Sequence, residues 1–234
     1  MRLPWRRTPE PSLTAAEIAE IREEARILVV PGFATFDEVC ETARGCVDGA
    51  YENVALGRKV DALVRQVWNE RVGEQKQWTT PGDYFRVAAA FADLEQRGIL
   101  ARMNFTCCAR CGTVVIDDER APADPPMDGW YPWKQWAYTF FHMQDAECLG
   151  DEPADLQLSY SSFRPAPHTD PALIAAARAG DRVAEQEMVV YTDGVVGRIV
   201  VDALEAQGLT VDWNGEVSHR ICVRDVVWRK PLPH

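Results

Sequence analysis

The hydrophobic period changes at Gly98, and that change limits the folds open to this chain more than any other feature. Before it, apolar residues recur at helical spacing. Thr14-Ala-Ala-Glu17 reads as a capping box opening a helix that runs to about Ile27, ahead of Pro31-Gly32. Thr35 or Asp37 opens a second helix, with Phe36, Val39, Cys40 and Ala43 on one face. A third covers about 54–76 on a stripe of Val60, Leu63, Val64, Val67 and Trp68. A fourth starts at Thr80-Pro81, carries Tyr84, Val87, Phe91 and Leu94, and stops at Gly98. After Gly98 the period falls to two, as in a half-buried strand. Ile99, Ala101, Met103 and Phe105 alternate with polar or outward positions, then Trp136, Tyr138, Phe140 and His142, then Leu156, Leu158 and Tyr160. Leu209, Val211 and Trp213 predict a fourth strand and residues 219–228 a fifth, with helices over 170–180 and from an Asp193 cap to Gly208. Residues 121–132 read as a loop, and 181–192 carry no clear signal.

Helices and strands that do not strictly alternate predict an α+β fold. The expectation is an N-terminal helical layer, followed by a mostly antiparallel sheet of about five strands with at least one packed helix. The corresponding parts are a tail over 1–12, a helical part over 13–98 and an α+β part over 99–234, packed as one unit.

Charge narrows the partners. The 234 residues carry a net charge of −11, a field that repels phosphate backbones and anionic lipid, so neither nucleic acid nor membrane is expected. The basic start has no apolar run behind it, as a signal peptide would, and no stretch reaches the roughly 20 apolar residues of a membrane helix. The expected location is the cytoplasm. There the seven cysteines, odd in number and unevenly spaced, are thiols or ligands rather than a disulfide framework.

Three of them fall together in Cys107-Cys108-Ala-Arg-Cys111-Gly112. Cys108-x-x-Cys111 has the spacing of half a zinc site, two thiolates from one tight turn taking adjacent tetrahedral corners. Cys107 is the nearest further thiol, although neighbouring residues seldom share an ion. His142 and Cys148 are the distant candidates. Zinc is therefore the cofactor these residues suggest, with Cys107, Cys108, Cys111 and His142 as the ligand set. A thiol-redox pair of Cys108 and Cys111 is a second reading. Acyl transfer or hydrolysis is a third, with Cys107 or Cys108 as nucleophile, His142 as base and Asp145 or Gln144 orienting it. Simple burial is the fourth, because cysteine packs as a small apolar side chain. A zinc nucleobase deaminase is argued against, since its His-x-Glu is missing upstream and no proline precedes Cys108. No GxGxxG, P-loop, HExxH or GxSxG motif occurs. Gly194-Val-Val-Gly197 is a faint echo of a phosphate loop, and a helix cap explains it equally well.

Taken in order, Gly98-Ile99, Asn104-Phe105-Thr106-Cys107-Cys108-x-x-Cys111-Gly112, Phe141-His142-x-Gln144-Asp145 and Gly208-Leu209-x-Val211-x-Trp213-x-Gly215 form a recognisable set, with Arg220-Ile221 and Trp228 closing it. Over about residues 80–230 the chain resembles an uncharacterised bacterial family of unknown function. That resemblance implies no assigned activity. The functional expectation is a cytoplasmic, acidic, non-enzymatic interaction or regulatory protein with another protein as its partner. The alternative is a zinc-binding or thiol-dependent enzyme centred on Cys107, Cys108, Cys111 and His142, with Cys108, His142 and Asp145 as catalytic candidates.

Overall fold

The computed structural model describes residues 12–150 and 152–233, so all of the expected tail but Ser12 lies outside the described residues. Two compact units divide the chain. One runs to Thr79 and takes in the closing segment from Lys230; the other is Thr80–Arg229.

The first unit contains α1 (Ala15–Val29), α2 (Phe36–Arg44) and α3 (Val54–Gln75). Both expected helix starts are capping boxes: Thr14 with Glu17 and Thr35 with Glu38 exchange side-chain and backbone bonds. Asn53 caps α3 by accepting the Ala55 and Leu56 N–H groups. The three apolar stripes meet in one core, in which Ile21, Val29, Val39, Val60 and Val64 are fully buried, and Leu232 of the closing segment joins it. Among the described residues no helix is long and apolar enough to cross a membrane.

The second unit begins with α4 (Tyr84–Gln96), which sequence grouped with the helical part, and β1 (Ile99–Arg102). Then follow α5 (Ala109–Val115), a 3-10 turn over Ile116–Glu119, β2 (Pro122–Met127), β3 (Tyr131–Trp133), β4 (Ala137–Phe140) and α6 (Met143–Glu147). The chain continues through β5 (Ala154–Ser162), α7 (Pro171–Arg178), α8 (Arg182–Ala206), β6 (Thr210–Asp212) and β7 (Ile221–Val226). The main sheet has five strands in the order β1-β4-β5-β7-β6. Only β1 and β4 run parallel, Leu100 opposite Tyr138; the other pairs are antiparallel. The fold is α+β with packed helices, as expected.

Alternation assigns the faces. Leu100, Tyr138 and Phe140 pack with Ile116 under the α5 segment. Tyr160, paired with Thr139, faces the opposite way, toward α8, where a Cβ on Gly197 would lie 2.5 Å from Trp213 and 3.1 Å from Tyr160. Glycine is what lets the helix approach this closely. Phe141 joins this core edge-on to Trp228.

Three local expectations are corrected. The first strand stops at Arg102, because Asn104 and Thr106 adopt φ of 51° and 58° and break the extension. Residues 121–132 are not a loop: β2 and β3 form an antiparallel ribbon, where the prolines of β2 are tolerated because the pair stands apart from the main sheet. Asp193 does not begin a helix. α8 starts at an Asp181 cap and runs unbroken past it, which also places the Gly194–Gly197 stretch inside a helix. Asp193 instead accepts hydrogen bonds from Ser161 and Ser162, while burial pushes its pKa up.

Candidate metal centre

The cysteine loop is built on a backbone ladder. After β1 the chain stays beside the exit of β4. Phe141 N–H donates to Arg102 O, Phe105 N–H to Phe141 O and Met143 N–H to Thr106 O. Thr106 then turns through its positive φ. A β-branched residue is strained there, and such strain gathers where a loop must aim particular side chains. Its Oγ1 donates to Cys108 O at 3.1 Å, bracing the turn from within. Cys108 is the extended N-cap residue of α5, so Cys111 returns over it one helical turn later.

The result is one group. The Sγ atoms of Cys107, Cys108 and Cys111 all lie within 4.8 Å of one another, so even the adjacent pair converges. Cys107 and Cys111 are exposed and Cys108 half-buried, which argues against reading the cluster as core packing. The backbone N–H of Cys111, and then its thiol, hold Cys108 below the ordinary thiol range. Cys111 is pushed up to about 11, first by its hydrogen bond with Cys107 and then by that with Cys108.

Gly112 anchors the loop to the sheet. A Cβ there would sit 2.6 Å from the Phe140 ring and 3.3 Å from Thr106 Oγ1. Neither contact is visible in the sequence, where Gly112 reads only as a turn residue.

His142 and Asp145 serve another purpose. Their side chains are both 7% exposed, and together they form a capping box at the start of α6. Asp145 N–H donates to His142 Nδ1 at 3.2 Å and His142 N–H to Asp145 Oδ2 at 3.1 Å. Arg220 completes the group with paired bonds of 2.9 and 2.6 Å to Asp145 and a third, of 2.8 Å, to Gln157 O. In the sequence Arg220 stands only as a closing residue of the pattern; its partner is 75 positions away. Neither His142 nor Cys148 is a member of the three-thiol group.

The His142 ring makes a pH-dependent contribution to stability. With Nδ1 accepting, the proton sits on Nε2, and burial first of all holds the ring's pKa below its ordinary 6.5, with Asp145 opposing and Arg220 reinforcing. Acid therefore protonates the unfolded chain before the folded one. The contribution is complete above 6.5 and is lost as pH falls through the lower folded value. His142→Asn keeps a capping acceptor without a titrating ring. Its urea-unfolding stability should fall less than that of the wild type between about pH 7 and about pH 5. Equal slopes would remove His142 as the responsible group.

A family model described as a domain of unknown function (DUF6891) matches residues 14–232. No curated protein and no solved structure matches the chain.

Proposed function

The chain belongs to the DUF6891 family, and since membership carries no chemistry we propose from the geometry that it is a non-enzymatic, zinc-binding regulatory domain. Cys107, Cys108 and Cys111 take three corners of the site. The observation that carries this is the convergence of three accessible thiols within 4.8 Å. With Zn–S bonds of about 2.3 Å, thiolates on a tetrahedral ion stand about 3.8 Å apart, so binding asks the loop to close by an ångström or less. Thiolates also select soft and borderline cations over magnesium or calcium.

The fourth corner falls to water or to a donor on a protein partner, since the His142 ring is engaged at Asp145. That arrangement links the metal to the interaction role: an acidic surface, net −11, docks a basic partner, and the metal holds the contact. Three thiolates on one dication leave a net negative centre. Such a centre polarises a bound water less than a histidine-rich site does, which favours regulation over hydrolysis. Free thiols of this kind persist in a reducing compartment, which supports a cytoplasmic location.

The test is metal content of untagged protein prepared without chelator, beside a thiol titration. About one zinc per chain is expected, with three thiols shielded until a chelator is added, and Cys108→Ser should lose the metal. Metal-free protein whose three loop thiols react at once would refute the site. A turnover activity abolished by Cys108→Ser or His142→Ala in folded protein would refute the non-enzymatic part.

A further inference from the structure

A second site lies away from the cysteines, where the β2–β3 ribbon faces the segment that leads into α7. The cavity there has a volume of about 390 Å³ and is lined by Asp128, Trp130, Arg164, His168, Ile174 and Arg178, among others. That is large enough for a small organic ligand.

Its charges are unbalanced. Arg164 has a side chain only 9% exposed, and its guanidinium carbon lies over the Tyr131 ring, 4.7 Å from its centre. One of its terminal nitrogens bonds Asp128. Its Nε is buried without a partner, and no hydrogen bond is made by its second terminal nitrogen among the described residues. The Asp128 carboxylate is 62% exposed, so water already competes for it. Arg178 stands over Trp130 at 5.9 Å and makes no ion pair among the described residues. Two guanidinium groups thus line a cavity in which Asp128, bonded to Arg164, is the one carboxylate among the lining residues, on a chain whose overall charge is −11. Beside them Trp130 leaves 58% of its surface in water, with Tyr131 packed edge-on against its ring, and Ile174 also lines the cavity.

Guanidinium forks match the two-oxygen edge of a carboxylate or phosphate, and an exposed indole accepts a flat apolar group. We propose that this cavity binds a small organic anion, a carboxylate or phosphate ester carrying a flat apolar group. The oxyanion displaces water from the arginines, and the flat group lies on Trp130.

The probes are benzoate, phenyl phosphate, inorganic phosphate and, as the uncharged control, benzyl alcohol. Binding to the full chain is followed by ligand-observed NMR and calorimetry. Benzoate or phenyl phosphate should bind with millimolar affinity, as expected for so few atoms, and benzyl alcohol should not. Arg178→Ala, at an exposed position, should weaken that binding about tenfold, the loss of one charge-assisted hydrogen bond. Trp130→Ala should reduce the advantage of phenyl phosphate over inorganic phosphate. The stronger of the two aromatic anions identifies the headgroup. No binding by either on the order of 10 mM, or binding unchanged in folded Arg178→Ala, would overturn the proposal. Equal affinity for phenyl and inorganic phosphate, with benzoate no tighter, would overturn the part given to Trp130.

Discussion

Arg220→Met is expected to destabilise the protein by about 2–3 kcal/mol. Breaking a buried ion pair by removing one partner typically costs about 3–5 kcal/mol, and the lower figure applies because the Arg220 side chain is 35% exposed. The cost lies with what remains. Asp145 is 7% exposed and would keep the His142 N–H as its backbone donor while losing both guanidinium bonds. Gln157 O would lose a donor as well. Arg220 therefore joins the α6 cap to β5 at the entry to β7, three elements distant in sequence. Urea unfolding of Arg220→Met, Asp145→Asn and the double variant forms the check. The double variant should lose less than the sum of the two, because it no longer buries an unpaired charge. Strict additivity, or a loss below about 0.5 kcal/mol for Arg220→Met, would place the pair among ordinary surface contacts.

Gly112→Ala should act on stability and on the metal centre at once. The new methyl would lie 2.6 Å from two atoms of a Phe140 ring that is fully buried and held edge-on by Phe105 at 5.7 Å. The ring cannot withdraw, so α5 must lift. Overpacking of this kind costs about 1–3 kcal/mol. Lifting α5 moves Cys111 relative to Cys107 and Cys108, and zinc affinity should fall about tenfold or more, since support around the ligands sets their aim. Gly73→Ala is the control. It lies within α3, where a Cβ meets nothing within 4 Å, and alanine should there be neutral or stabilising by up to about 1 kcal/mol. If both alanines behave alike, Phe140 does not anchor the loop.

The contrast between these two glycines also marks how far the sequence could be read. Features written in local spacing were legible: the capping box at Thr14, a helix start at Thr35 or Asp37, the stripe of α3, and the alternation that became β4 and β5. Local signals failed where pairing between elements decides the outcome. Asp193 looks like a cap because aspartate favours caps, yet inside α8 its carboxylate is satisfied by two serines of β5. The proline-rich 122–127 stretch looks like a loop, because proline lacks a ladder donor, yet it pairs in a ribbon that stands apart from the main sheet. The same division runs through the site. The Cys-x-x-Cys spacing announced two thiols. Cys107, already in the expected ligand set, joins them through the Thr106 turn. His142 and Asp145 pair within one local motif, whereas Arg220 reaches Asp145 from 75 positions away and no motif reports that contact.

Cobalt substitution tests the metal centre most directly, because its spectrum reports both ligand type and geometry. The metal-free chain titrated with Co²⁺ under reducing conditions should develop intense thiolate charge-transfer absorption and tetrahedral visible bands. These should saturate at one equivalent, be displaced by zinc and disappear in Cys108→Ser. Weak octahedral absorption that does not saturate, or a spectrum unchanged in Cys108→Ser, would contradict the assignment of Cys107, Cys108 and Cys111 as a metal site.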